Sequence, residues 1–243
     1  MSVDTEPTVG YCDRVPAEGA AGRTPRYLVI EGVIGVGKTT LAAQLARQLR
    51  GRAVLESLDD NPFLADFYQD PERNALPTQL FFLMSRFQQQ EQLAQGDLFA
   101  QTTIADYIFD KDRLFALQNL RGEELGIYED LFSVLEPQVP KPDLVIHLRA
   151  DIDEIMRRIA DRGRSYERNM DAQYIERLAV AYHAFFARFD RCPVLTLDTS
   201  AVDLRADQAA LAEVVKAVRT GRPPATIPSE VTLGETPLLP GLD

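Results

Sequence analysis

"RYLVIEGVIGVGKTTLAAQLARQL", residues 26–49, decides the fold. An apolar, β-rich run ends at Glu31, a glycine-rich turn follows, and a helical pattern begins at Lys38 and Thr39. Gly32, Gly37, Lys38 and Thr39 complete the pattern G-x-x-x-x-G-K-[ST]. In that setting the glycines permit a tight turn whose backbone N–H groups converge on phosphate oxygens. Gly32, Gly35, Gly37, Lys38, Thr39 and Thr40 are therefore assigned to nucleotide phosphates, with Lys38 as the point charge and the Thr39 hydroxyl as a Mg²⁺ ligand. The bland alternative is an ordinary glycine-rich βα turn. The loop implies a nucleoside triphosphate and says nothing of the acceptor.

Outward from the loop, further β-rich runs alternate with helical patterns: "AVLE" (53–56), "TTIAD" (102–106), "DLVIHL" (143–148) and "PVLTLD" (193–198). The expected fold is α/β, a P-loop three-layer sandwich with a five-stranded parallel sheet flanked by helices and an arginine-rich lid. Helices are expected over 77–95, with Leu80, Leu83, Met84 and Phe87 at helical spacing, and over 171–190, with Tyr174, Ile175, Leu178, Tyr182 and Phe185. Residues 1–25 and 221–243 lack hydrophobic periodicity and read as flexible tails around a single domain, 26–220.

The chain has 243 residues, 45% of them hydrophobic, enough for one sizeable core. A net charge of -11 argues against a nucleic-acid polymer as partner, because phosphate backbones are bound through excess Lys and Arg. Cys12 and Cys192 show neither metal-ligand spacing nor a disulfide framework. With no signal-like start and no apolar run of membrane-spanning length, a cytoplasmic protein that does not enter a membrane is expected.

Two carboxylates end strands beside the phosphate loop. Glu56 closes the second strand and Asp106 the third, so both reach the edge where open parallel sheets bind ligands. One could hold Mg²⁺ and the other could accept a proton from an alcohol. "RRIADRGRSYER", 157–168, carries Arg157, Arg158, Arg162, Arg164 and Arg168. Arg158 and Arg162 share a helix face, and Gly163 is expected to end that helix. This suits a lid that brings positive charge over a transferring phosphoryl group; a solvated basic face is the alternative.

With these pieces in order, the chain resembles the deoxynucleoside kinase family, particularly its bacterial deoxyadenosine and deoxyguanosine kinase-like branch, from about Arg26 to Leu197. The resemblance implies that Glu56 is the general base for the sugar 5′-hydroxyl, and that Tyr68, in "YQDPER", helps hold the 3′-hydroxyl. It places the base-reading Gln on Gln79 and an Arg seven residues later on Arg86. The lid pattern R-x-x-x-R-x-R-x-x-E falls on Arg158, Arg162, Arg164 and Glu167, the glutamate being a 3′-hydroxyl ligand. The implied reaction is ATP-dependent phosphorylation of a deoxyribonucleoside for nucleotide salvage, with Lys38, Glu56, Arg158, Arg162 and Arg164 catalytic and Thr39 and Asp106 at Mg²⁺.

The chain departs from the family pattern after the third strand, where Asp106 is followed by Tyr107 and Ile108 in place of Arg and Ser. The Arg that steadies the glutamate is missing, so either Arg86 takes that part or the base is held differently, with Tyr107 on the substrate side. Asp112 is the counterpart of a base-side Asp, at a shorter spacing, and Ser57 stands where a Pro is frequent. Gln79 can pair with adenine, guanine or cytosine edges; resemblance alone, through "DNPFLADFY" (60–68) and the missing Arg, leans to a purine. A nucleoside monophosphate kinase and a nucleotide-dependent regulatory ATPase are the rival readings. The resemblance also implies a homodimer through helical surfaces. His147 and His183 read as structural.

Overall fold

Leu28, Val29 and Ile30 are fully buried at the centre of strand β1 (Tyr27–Glu31), the position a continuous apolar run takes when both faces of a sheet are covered. The computed structural model describes residues 24–56, 60–94, 102–164, 167 and 170–232. Cys12, Ser57, Arg168 and the terminal stretches 1–23 and 233–243 lie outside the described residues. From edge to edge the sheet runs β2 (Arg52–Val54), β3 (Thr103–Ala105), β1, β4 (Leu144–Arg149), β5 (Val194–Asp198) and β6 (Ser229–Thr232).

Between β1 and β2 runs α1 (Lys38–Leu49); α2 (Leu64–Gln69) and α3 (Pro71–Ala94) lead to β3. Helices α4 (Lys111–Asn119) and α5 (Gly122–Leu135) lead to β4, α6 (Ile152–Arg162) and α7 (Ala172–Phe186) to β5, and α8 (Gln208–Thr220) to β6. Right-handed crossovers fix the layers. The step from β1 to β2 runs opposite to the later steps through β3, β4 and β5, so α1 takes one face and α3, α4, α5 and α7 the other. Contacts follow that division: α1 meets α8, whereas α3, α4, α5 and α7 meet one another in turn.

Two expectations change. The first five strands are parallel as expected, but a sixth, β6, pairs antiparallel with β5, from Val194 opposite Thr232 to Leu197 opposite Ser229. The C-terminal segment therefore holds structure beyond residue 221. Ile227 is buried, Asp198 donates its N–H to the Pro228 carbonyl at 2.8 Å, and the Glu213 carboxylate receives the backbone N–H groups of Ala225 and Thr226, each at 2.9 Å. The prolines there shape the approach to an edge strand, a place where their missing N–H is tolerated. Helix α3 also starts earlier than expected, at Pro71, and passes through Pro77. Pro71 in the first turn costs no hydrogen bond, because that N–H has no partner inside the helix, whereas Pro77 lies past the first turn, where it offers no N–H to the Arg73 carbonyl.

A second hydrophobic cluster lies under α3 and α5, built on Phe67, Leu83, Phe87, Phe109, Tyr128 and Phe132. Phe109 stacks on Phe132 with centroids 5.4 Å apart. Burying each such side chain contributes about 1.5–3 kcal/mol, and the cluster holds α3 against the sheet. His147 is buried in β4 with its ring against Phe186, and Cys192 is a buried free thiol that burial pushes up to about 12. No helix among the described residues is long and apolar enough to cross a membrane.

Candidate active site

The loop between β1 and α1 is shaped by glycines that no other residue could replace without strain. Gly32 has φ +147°, and a Cβ there would meet the Leu148 carbonyl oxygen. Gly35 has φ +84°, and its Cβ would sit 2.5 Å from Ile159 Cγ1, so the loop packs against α6 only because that side chain is absent. Lys38 Nζ donates to the carbonyls of Gly32 at 2.7 Å and Val33 at 3.0 Å. Burial, with Lys111 nearby, lowers its pKa to about 8. Gly37, Thr39 and Thr40 are exposed where α1 begins.

Asp106, just past β3, joins the loop to the second strand. Its Oδ2 accepts the Thr39 hydroxyl at 2.5 Å, and its Oδ1 accepts the Glu56 N–H at 2.7 Å. Thr39 and Asp106 thus present paired hard oxygens at the phosphate loop, a donor set suited to Mg²⁺, which takes one or two protein oxygens together with phosphate and water. No group of three or more His, Cys, Asp and Glu converges as a cage among the described residues.

Glu56 is held by two cations. Arg86 donates Nε to Oε1 at 2.9 Å and a second N–H to the same oxygen, while Lys111 Nζ donates to Oε2 at 2.7 Å. Burial alone would raise this carboxyl; Lys111 and Arg86 outweigh it and hold Glu56 well below the usual carboxylate range. Arg86 also pairs with Asp112, whose Oδ1 accepts the Tyr128 hydroxyl at 3.0 Å. Gln79 and Arg86 occupy one buried face of α3, and Gln79 Oε1 has no hydrogen-bond partner among the described residues. Tyr107 is fully buried, its hydroxyl donating to Gln89 at 2.8 Å, and Tyr68 is half-buried with its ring 5.6 Å from that of Phe67.

The helix expected to form a lid is α6, ended by Gly163 at φ +69°. Arg158 is tied down: it donates to the Val36 carbonyl at 2.9 Å, the Thr199 carbonyl at 2.7 Å and Glu154 at 2.7 Å. Arg162 donates to both oxygens of Glu167, and Arg164 lies 3.7 Å from the same carboxylate. Between loop and lid opens a cleft of about 380 Å³ lined by Lys38, Arg158, Arg162, Arg164 and Arg205 against Asp161 and Asp203. In an acidic chain, this local excess of positive charge is what a polyphosphate requires.

Residues 28–221 match the deoxynucleoside kinase family. The chain belongs to that family. This deoxynucleoside kinase is 32% identical to the deoxyguanosine kinase of Bacillus subtilis, over 74% of this chain and 89% of the relative. It is 33% identical to the deoxyadenosine/deoxycytidine kinase of the same organism, over 77% and 89%. The deoxyadenosine kinase of Dictyostelium discoideum is 35% identical, over 79% and 78%. Among solved structures, deoxyadenosine kinase from M. mycoides with dCMP and dCDP bound superposes with a TM-score of 0.66 at 25% identity, covering 78% of this chain and 96% of that one. The kinase is a phosphotransferase with a nucleotide phosphoryl donor and a deoxynucleoside acceptor.

Within the kinase, the fold brings Lys38, Thr39, Asp106, Glu56, Arg86 and Asp112 into one connected polar network. Arg158, Arg162, Arg164 and Glu167 form a second, at the lid. Two members escaped sequence reasoning. Lys111 clamps Glu56, and the only signal was a lysine beside Asp112. Glu31, fully buried at the end of β1, accepts the N–H of Gly32 at 2.8 Å and of Ile108 at 2.9 Å and the Tyr182 hydroxyl at 3.1 Å. It carries the same strand-end signal as Glu56 and Asp106, masked by its place directly before the loop motif.

Proposed function

We propose that the kinase transfers the γ-phosphoryl group of ATP to the 5′-hydroxyl of a purine deoxynucleoside, with Mg²⁺ held by Thr39 and Asp106. The observation that carries this reading is the Asp106 carboxylate, one oxygen on the Thr39 hydroxyl and the other on the Glu56 N–H, which ties the donor loop to a carboxylate suited to be the base. The 5′-oxygen bonds to the γ-phosphorus, the bond to the β,γ-bridging oxygen breaks with its electron pair going to ADP, and the hydroxyl proton passes to Glu56. Arg86 and Lys111 outweigh its burial and keep Glu56 ionised, the form a base requires, while lowering its affinity for the proton. Lys38 and the loop N–H groups place the donor, and Arg162 and Arg164 bring charge over the transferring group. Bound Mg²⁺ would neutralise charge on the β- and γ-phosphate oxygens. Arg158, bonded to loop and lid alike, positions one against the other.

Tyr68 and Glu167 hold the 3′-hydroxyl, and Gln79 reads the base. An unpartnered amide oxygen accepts from an exocyclic amino group while its amide nitrogen donates to a ring nitrogen, a pairing that adenine and cytosine both offer, so the lean to a purine comes from resemblance and not from this amide. The names of the relatives, deoxyguanosine and deoxyadenosine kinases among them, support a purine. Tyr107 backs the base side through Gln89, and Arg86 with Lys111 supplies the positive charge that an Arg at position 107 would bring. Exposed Met84 on α3, Ile127 and Val134 on α5 and Val180 on α7 support a homodimer formed through helices. The test incubates the protein with Mg²⁺-ATP and each common deoxynucleoside separately and resolves 5′-monophosphate from free phosphate. Deoxyadenosine or deoxyguanosine turned over fastest bears the reading out; a pyrimidine turned over fastest overturns the purine assignment, and no monophosphate from any nucleoside overturns the site roles.

A further inference from the structure

Glu56 presents about four lone-pair directions on its two oxygens. Among the described residues, Oε1 receives two N–H groups from Arg86, Nε and a terminal one, and Oε2 receives one from Lys111. The open direction is therefore on Oε2, the oxygen whose orientation Lys111 controls. We propose that Lys111 is the positioning residue that aims Glu56 Oε2 at the sugar 5′-hydroxyl, which makes Oε2 the atom that receives the proton. The proposal rests on the reading of Glu56 as the base.

Lys111 is built for this. Its residue is 4% exposed, so the ammonium has few alternatives to Glu56, and Nζ lies 5.7 Å from the Phe115 ring centroid. Its backbone N–H donates to the Ile108 carbonyl at 3.1 Å, and the Ile108 N–H donates to Glu31 Oε2 at 2.9 Å. Glu31 in turn holds the N–H of Gly32 at 2.8 Å through its other oxygen. The first residue of the phosphate loop and the start of α4 are thus pinned to one buried carboxylate, which fixes Lys111 relative to the place where the donor binds. On proton transfer the O–H bond of the sugar breaks, an O–H bond forms on Oε2, and Lys111 stays on the second lone pair of that oxygen. No group other than the donor and the acceptor is consumed.

A double-mutant cycle tests it. Lys111→Met should lower kcat roughly 10- to 100-fold and leave KM for the deoxynucleoside within about 3-fold, because the loss falls on the transition state. Lys111→Arg should recover most of the loss. In the Glu56→Gln background, adding Lys111→Met should change residual turnover less than about 3-fold, since a residue acting through Glu56 has nothing left to orient. The same fold loss in both backgrounds, or wild-type kcat in Lys111→Met, overturns the proposal. Should thermal melts show Lys111→Met unfolded, Lys111→Gln compared with Lys111→Arg carries the same cycle. Near-wild-type turnover of Glu56→Gln alone removes Glu56 as the base; an inactive Glu56→Gln with a fully active Lys111→Met removes only the role of Lys111.

Discussion

Asp106 and Glu56 lie on different strand ends, yet the Glu56 N–H reaches Asp106 Oδ1 at 2.7 Å, so one carboxylate sets the backbone that carries the other. The same Asp106 holds the Thr39 hydroxyl through Oδ2 at 2.5 Å. Asp106→Asn keeps the shape but leaves one acceptor oxygen for two donors. It should lower kcat/KM roughly 10²- to 10⁴-fold, the range expected when positioned acid–base and electrostatic groups are lost, and raise the Mg²⁺ concentration needed for half-maximal rate. Steady-state kinetics across a Mg²⁺ titration checks both.

Arg86 stands between Glu56 and Asp112, with side-chain exposures of 5%, 7% and 0% for the three residues. Arg86→Met leaves Asp112 as a buried charge without its cation and Glu56 with Lys111 alone. Removing one partner of a buried ion pair costs about 3–5 kcal/mol, so the variant should melt well below wild type. Arg86→Met combined with Asp112→Asn should recover part of that loss, because the amide needs no counter-charge. Urea unfolding of the single and double variants reads it; an equal loss in both would show that Asp112 is not the strained partner.

Gln79 is 2% exposed with an unpartnered Oε1, which makes it costly to fold and useful to bind. An unsatisfied buried acceptor costs roughly 1–3 kcal/mol. Gln79→Leu should therefore melt at or above the wild-type temperature while its KM for the preferred deoxynucleoside rises about 10- to 100-fold, the factor a bidentate base contact carries. Differential scanning calorimetry and initial rates on the same preparation decide it, and a fall in stability with an unchanged KM would place Gln79 in the core rather than at the base.

His147 is 3% exposed in β4, and burial, with Arg149, His183 and Lys38 adding positive charge, pushes its imidazole down to about 3. The unfolded chain takes up that proton near pH 6.5. Between about pH 6.5 and 3 the unfolded state holds more protons, so this group makes stability fall as pH falls, and it has no effect above that window. Relative to His147→Phe, wild type should lose about 2 kcal/mol between pH 7 and pH 5. Urea midpoints of the two proteins across that range provide the measurement, and parallel pH profiles would mean that His147 is protonated in the folded kinase.

Sequence by itself determined what is local. The glycines of the phosphate loop, its lysine and threonine, the helix end at Gly163 and the five parallel strands follow from dihedral freedom and hydrophobic period, which act over a few residues. Glu56 and Asp106 were visible as candidates because strand ends are themselves local features, and Gln79 and Arg86 were visible only through the resemblance to the family. Their partners were not. Lys111 meets Glu56 across 55 positions, and Tyr182 meets Glu31 across 151. Those encounters depend on sheet order, with β3 lying between β2 and β1, and no periodicity in either segment encodes it. The strand at Ser229–Thr232 was hidden for a related reason: its pairing partner is β5 and its anchor is Glu213 on α8, while its own four residues show little apolar alternation and follow a proline-rich approach. Tertiary structure decided which charges neutralise one another, because a buried ion pair exists only where folding excludes the water that would otherwise solvate each partner separately.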